Sequence, residues 1–257
     1  MRVGRRKLLL ASALAPLAAA ADSVAQTRRR AAAPQSFLLV HGAAQGAWCY
    51  RRVADLLTAR GHRVFAPTMT GSGERSHLVS PAVNLTTQIT DIANVIKWED
   101  LNAFVLVAHS SAGMVATGVA EQLGDRIASI VYIDGFVPDN DQSTQDIRPR
   151  KLNDGLTSPA PKAEALLVNE KDRAWVDAKQ TPIINAAASE RLKVTGAYQR
   201  IAKKAYVRNI NYPQPVFSGY YQRFQHDPAW RTYALPCGHL AMVDMPQALT
   251  DILLASA

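Results

Sequence analysis

Cysteine is scarce, with two in 257 residues, so no disulfide framework holds this chain together and its fold must rest on an apolar core. Charge is sparse as well, 19% of residues against 48% apolar, which excludes intrinsic disorder and a coiled coil as overall descriptions. The six histidines form no metal-like spacing. No internal repeat is visible, and no apolar run is strong enough for a comfortable membrane span of about 20 residues. Acidic residues are the minority, 21 against 29 basic ones for a net +8. Setting aside Arg2, Arg5, Arg6, Lys7 and Asp22 leaves 25 basic against 20 acidic residues, or +5, part of it in the run Arg28-Arg29-Arg30. An excess of that size reads as a solvated surface, so nucleic acid is not an expected partner.

The N-terminus reads as an address. Arg5 and Arg6 precede Lys7-Leu8-Leu9-Leu10, and an Ala-rich apolar stretch runs to Ala21, broken only by Ser12 and Pro16. This is the pattern of an export signal peptide over residues 1–25. The Arg pair followed by leucines matches the bacterial twin-arginine signal, with a Sec signal as the alternative. Small residues suit cleavage after Ala21 or Ala25, and residues 26–36 follow as a loose leader. The expected destination is the periplasm or the exterior, reached through export machinery and with no stable membrane anchor after processing. A Cys49–Cys237 bridge is allowed there, but two buried apolar thiols is the plainer reading.

From residue 37 onward, apolar runs suited to buried parallel strands recur at Phe37–Val40, Arg63–Ala66, Phe104–Val107, Ile130–Ile133, Ala205–Val207 and Thr232–Leu235. Helical spacing separates them at Val53–Ala59, around Ile89-Ile92-Ile96, at Met114–Leu123 and at Pro246–Ala255. Alternation of this kind predicts an α/β fold, a doubly wound and mostly parallel sheet. The rhythm fails between about 139 and 198, where Pro149, Pro159, Pro161 and Pro182 punctuate short amphipathic pieces. That interval is expected to be a short helical cap inserted into the domain at 37–257.

One strand runs straight into Ala108-His109-Ser110-Ser111-Ala112-Gly113. A turn from strand to helix this abrupt strains its central residue and demands small side chains two positions either side, which lifts Ser110 above the sheet as a candidate nucleophile. Ser111 is the rival, but centring the pattern on it puts His109 where a small residue is needed. The backbone N–H of Ser111 is then one candidate oxyanion donor, and that of Ala43, in the loop His41-Gly42-Ala43-Ala44-Gln45-Gly46 after the first strand, is the second. His41 reads as a tie for that loop. His239, in Leu235-Pro236-Cys237-Gly238-His239 after the last strand, lies at the same sheet edge and is the candidate base. His62, His77 and His226 fall elsewhere.

These residues resemble the α/β-hydrolase superfamily, in particular its compact branch of plant methylesterases, hydroxynitrile lyases and bacterial esterases. The likeness runs from Phe37 to Ala255 through the oxyanion stretch, Gly61-His62-Arg63-Val64, Thr70–Leu78, the elbow and Cys237-Gly238-His239, with only the cap dissimilar. The resemblance implies Ser110 as nucleophile, His239 as base and the amides of Ala43 and Ser111 as oxyanion donors. Two departures bear on chemistry. The lyases carry Thr in place of Gly42 and a Lys after the His, where this chain has Leu240, so a leaving cyanide lacks a cation and an esterase is favoured. The second is the missing acid after the penultimate strand, where the chain reads Arg208-Asn209-Ile210-Asn211. Asp134, directly ending the strand Ile130–Ile133, is the expected partner of His239. Asn211 as a neutral partner and Asp134 as a mere turn cap stay open.

The expected function is therefore a cofactor-free serine carboxylesterase acting on small esters through an acyl-enzyme on Ser110. Lactone or amide hydrolysis and perhydrolysis use the same residues, and a non-catalytic ligand-binding relative is the alternative from another class. Trp175 and Leu166-Leu167 are candidates for lining an apolar pocket, although residues at that helical spacing are more often simply the cap's own packing face.

Overall fold

The computed structural model describes Met1 and residues 33–257; the export signal read at 1–25 and the leader up to 32 lie outside the described residues. Six strands form one sheet: β1 (Ser36–Val40), β2 (Arg63–Phe65), β3 (Phe104–His109), β4 (Ile127–Ile133), β7 (Lys203–Asn209) and β8 (Trp230–Leu235). Their order is β2-β1-β3-β4-β7-β8, and every neighbouring pair is parallel. Parallel strands covered on both faces need apolar side chains pointing both ways, and β3, all six residues of which are buried, has them.

Helices α1 (Arg51–Ala59), α2 (Leu85–Trp98), α3 (Ala112–Leu123), α7 (Pro215–Gln225) and, after the one-turn α8 (Ala241–Asp244), α9 (Pro246–Ala255) cover this sheet, α1 packing on α9 and α2 on α3. Helix α7 carries Phe217, Tyr220, Tyr221 and Phe224 at helical spacing, and its Phe217 and Phe224 are buried against β7 and β8. The chain leaves β1 for one side of the sheet and returns at β3 to build the other. A crevice opens at such a reversal, outside the carboxyl ends of the strands, so the loops after β1 and β3 face each other there.

The cap between β4 and β7 holds helices α4 (Thr144–Ile147), α5 (Glu170–Lys179) and α6 (Asn185–Ser189). It is not purely helical, because β5 (Thr157–Ser158) pairs antiparallel with β6 (Ile183–Ile184). Two-residue strands have no readable period, and the prolines around them masked the ladder. The cap is tied down by Arg52 of α1, which donates to both carboxylate oxygens of Asp172 at 2.8 and 2.6 Å and to the Val243 carbonyl. Cys49 and Cys237 are both buried and free.

Gly113, in the first turn of α3, carries the tightest backbone contact of the elbow. A Cβ there would lie 2.1 Å from the Phe136 carbonyl oxygen and 2.7 Å from its nitrogen, and backbone cannot rotate away. Gly113→Ala is expected to destabilise the protein by about 3 kcal/mol or more. Thermal melting checks this, with a fall of roughly 10 °C for a chain of this size; an unchanged Tm would mean that α3 and the 134–137 turn shift apart at little cost.

Candidate active site

Ser110 sits between β3 and α3 with φ +56°, a left-handed conformation that costs about 1–3 kcal/mol outside glycine and persists only when its surroundings over-determine it. The surroundings do so. The Ser110 N–H donates to the Ile133 carbonyl at 3.1 Å, and its own carbonyl accepts from Gly113 N at 3.0 Å and Phe136 N at 3.1 Å. Its hydroxyl reaches His239 Nε2 at 3.0 Å, while His239 Nδ1 faces Asp134 Oδ2 at 3.2 Å. With Nδ1–H donating to the carboxylate, Nε2 is left free to accept the serine proton.

The loop that carries His239 is pressed against the cap. Its N–H donates to the Leu166 carbonyl at 2.8 Å, and a Cβ on Gly238 would meet the Leu167 carbonyl oxygen at 2.1 Å. Tyr212 stacks on the imidazole at a centroid distance of 4.4 Å, with Phe217 parallel to it at 5.4 Å. The His239 carbonyl accepts from Asn209 Nδ2 and His109 Nε2, both at 2.9 Å. The ring is thus held from every side before any substrate arrives.

Asp134 is wholly buried. Arg208, itself buried, donates to its two oxygens at 3.0 and 3.2 Å, and the Asn209 amide adds a bond at 3.1 Å. Arg208 also donates to the carbonyls of Asn209 and Tyr212. Burial pushes the Asp134 carboxyl up, and the Arg208 charge works against that. The same burial, followed by the charges of Arg148 and Arg208, pushes His239 down. The resting pair is therefore a neutral imidazole beside a carboxylate compensated by Arg208.

Of the alternatives left open by the sequence, Asn211 is exposed and only its backbone is engaged, with Cys237. The next acid in the chain after β7, Asp227, caps Ala229 at the opposite end of β8. The expected absence of cationic charge near His239 needs correction. Leu240 does follow it and is buried, but Arg208 and Arg148 bring positive charge from β7 and the cap. The missing acid at this position was visible in the sequence as a departure from the family pattern; the burial of Arg208 against Asp134 was not.

Of the two candidate oxyanion amides, Ala43 N–H is occupied at rest, donating to the Ser111 hydroxyl at 2.7 Å. A ligand oxygen must displace that hydroxyl to reach it. His41 ties the loop as expected: its Nδ1 donates to the Gly42 carbonyl at 2.9 Å, and its Nε2 accepts from Met69 N at 3.0 Å. A cavity of about 150 Å³ opens onto Ser110, Ser111, His239 and Ala43. Leu166 lines it, whereas Leu167 is exposed at 42% and Trp175 instead packs edge-on against Trp48 at 5.1 Å.

A model of a family described as "Alpha/beta hydrolase family" matches residues 37–252. The chain belongs to the alpha/beta hydrolase family. It is 36% identical over 239 residues to a carbendazim-hydrolyzing esterase of Nocardioides sp. (strain SG-4G), covering 86% of this chain and 98% of that protein. Similarity to methylesterase 2 of Arabidopsis thaliana is 33% over 120 residues and spans only 42% of either chain. Among solved structures, an extracellular alpha/beta-hydrolase from a Paenibacillus species superposes with TM-score 0.76 over 87% of this chain and 99% of that one, at 24% identity. That likeness reports the alpha/beta hydrolase fold.

Proposed function

We propose that this alpha/beta hydrolase cleaves small carboxylic esters through an acyl-enzyme on Ser110. The observation that carries the reading is the hydrogen-bonded chain Ser110–His239–Asp134, opening onto the cavity. His239 Nε2 takes the hydroxyl proton as Ser110 Oγ attacks the ester carbonyl. The developing oxyanion turns to the Ala43 and Ser111 amides, and the imidazolium returns its proton to the departing alcohol. Water, activated by the same His239, then releases the acid. An esterase relative aligned over 86% of this chain supports this activity. About 150 Å³ suits a substrate core near the size of one ring.

A fluorophosphonate probe tests the assignment, because it reacts only with an activated serine. One equivalent is expected on Ser110 of the folded protein, located by peptide mass; folded protein that takes up no label would instead be a binding protein on a hydrolase scaffold. For the third member, Asp134→Asn is expected to lower ester turnover at least about 10²-fold by freeing the wrong tautomer of His239. Asn211→Ala and Asp227→Asn are expected to stay within about threefold, since neither side chain reaches the imidazole. Near-normal turnover in Asp134→Asn would reduce Asp134 to a structural partner of Arg208. We further propose that the protein is exported and that its mature form begins near Asp22 or Gln26, which intact mass of the periplasmic protein decides.

A further inference from the structure

The cavity in front of Ser110 is lined by two arginines and, among the described residues, by no acid. Among the described residues, apart from His239 and Tyr212, its only ionisable lining side chains are Arg148 and Arg150, both from the cap just after α4, and no aspartate or glutamate lines it. Neither guanidinium forms an ion pair among the described residues. The nearby acids are engaged elsewhere, Asp146 with Arg191 and Ser143, and Asp134 with Arg208 and His239.

Arg150 is the more telling of the two. Its Nη2 is buried with no hydrogen-bond partner, an unmet donor on a charged group, which is costly to leave unmade. Its backbone is held in place all the same: Gln145 accepts from the Arg150 N–H at 3.2 Å and donates to its carbonyl at 2.7 Å. The Arg150 guanidinium is driven down first by desolvation and then by the charge of Arg148. Two like charges thus line the same cavity, one of them half-buried with its main chain held in place. Such an arrangement is unfavourable when empty and becomes favourable when an anion enters.

We propose that Arg148 and Arg150 form a carboxylate subsite, so that the preferred substrates are esters carrying a second, ionised carboxyl group, such as monoesters of small dicarboxylic acids. A planar carboxylate matches the donor fork of a guanidinium, and the cavity admits little more than a short or single-ring spacer between the two groups. The proposal rests on the esterase reading above. Its chemistry is the same hydrolysis: the ester C–O bond breaks, water supplies the hydroxyl of the acid and the proton of the alcohol, and the second carboxylate takes no part in bond making.

The test compares monomethyl esters of succinic, glutaric, isophthalic and terephthalic acids, each against the neutral analogue in which the free carboxylate is a carboxamide. At least one acid is expected to exceed its amide by about tenfold or more in kcat/KM, chiefly through KM, and the advantage is expected to shrink with added salt. In Arg150→Met the acid-to-amide ratio is expected to fall at least about tenfold, and Arg148→Met is expected to lower it in the same direction. Arg150→Lys recovers part of the ratio, because charge remains while the fork is lost. Equal or better turnover of every amide by the wild type would overturn the proposal, as would a ratio unmoved in both Met variants. The subsite is also read without turnover, by calorimetric titration of the four free diacids into Ser110→Ala. Binding there that disappears on adding Arg150→Met supports the subsite even if the fluorophosphonate fails to label the wild type. Labelling at Ser110 without any diacid binding or acid preference leaves the esterase standing and removes the subsite.

Discussion

Replacing Ser110 with alanine, or His239 with alanine, is expected to cut ester turnover about 10³-fold or more, with the residual rate coming from the oxyanion donors and from binding alone. Each change removes one end of the same proton path, the 3.0 Å contact between Ser110 Oγ and His239 Nε2, so the double variant is expected to be little worse than either single one. Ser111→Ala is the informative contrast. Its hydroxyl accepts from Ala43 N–H and no base approaches it, so its loss leaves both the nucleophile and the Ser111 amide in place. Turnover within about tenfold of wild type is expected, since no transition-state contact of the nucleophile is removed. Steady-state rates on p-nitrophenyl acetate, with circular dichroism to confirm folding, settle all three. An inactive Ser111→Ala beside a normal Ser110→Ala would mean that the elbow is centred one residue later.

What the sequence could convey about this site follows from how local each signal is. A strand-to-helix turn is written in six consecutive residues, and so Ala108–Gly113 marks Ser110 by itself. Asp134 and His239 were legible because each stands immediately beyond a strand, and parallel strands bring their ends to one edge. Contacts made across the fold leave no such trace. Arg208 sits on β7 at the end of a short apolar run, and nothing local distinguishes a guanidinium buried on Asp134 from one in water. His109 reads as the residue between two alanines, yet it donates to the His239 carbonyl from 130 positions away. Arg148 and Arg150 follow a four-residue helix in a proline-rich interval, where their meeting in the cavity depends on the whole path of the cap. Trp175 shows the opposite failure, an aromatic whose spacing suited a pocket but whose partner, Trp48, lies in the body of the fold.

Acid should unfold this protein early. His41, His109 and His239 are buried to within 4% of full exclusion from solvent, and desolvation drives all of them below the ordinary imidazole value, His41 to about 4. In the unfolded chain the same side chains take up protons near pH 6.5. Below that pH the unfolded state therefore binds more protons than the folded one, and stability falls as pH falls. Asp134 works in the other direction, because its folded carboxyl is pushed up to about 6 and the folded state holds the extra proton between there and about pH 4. Asp244, whose carboxyl burial also pushes up, acts in the same sense as Asp134, but the three histidines outnumber the two carboxyls and stability is expected to fall as pH drops below about 6.5. Urea unfolding at half-unit steps from pH 7.5 to 4.5 measures this slope, and a flat profile between pH 7 and 5 would show that the histidines are protonated in the folded protein. His41→Gln isolates one contribution, since a glutamine amide offers an acceptor to Met69 N–H and a donor to the Gly42 carbonyl without titrating. That variant is expected to lose about one proton's worth of slope, roughly 1.4 kcal/mol per pH unit, while keeping the loop that carries Ala43 in place.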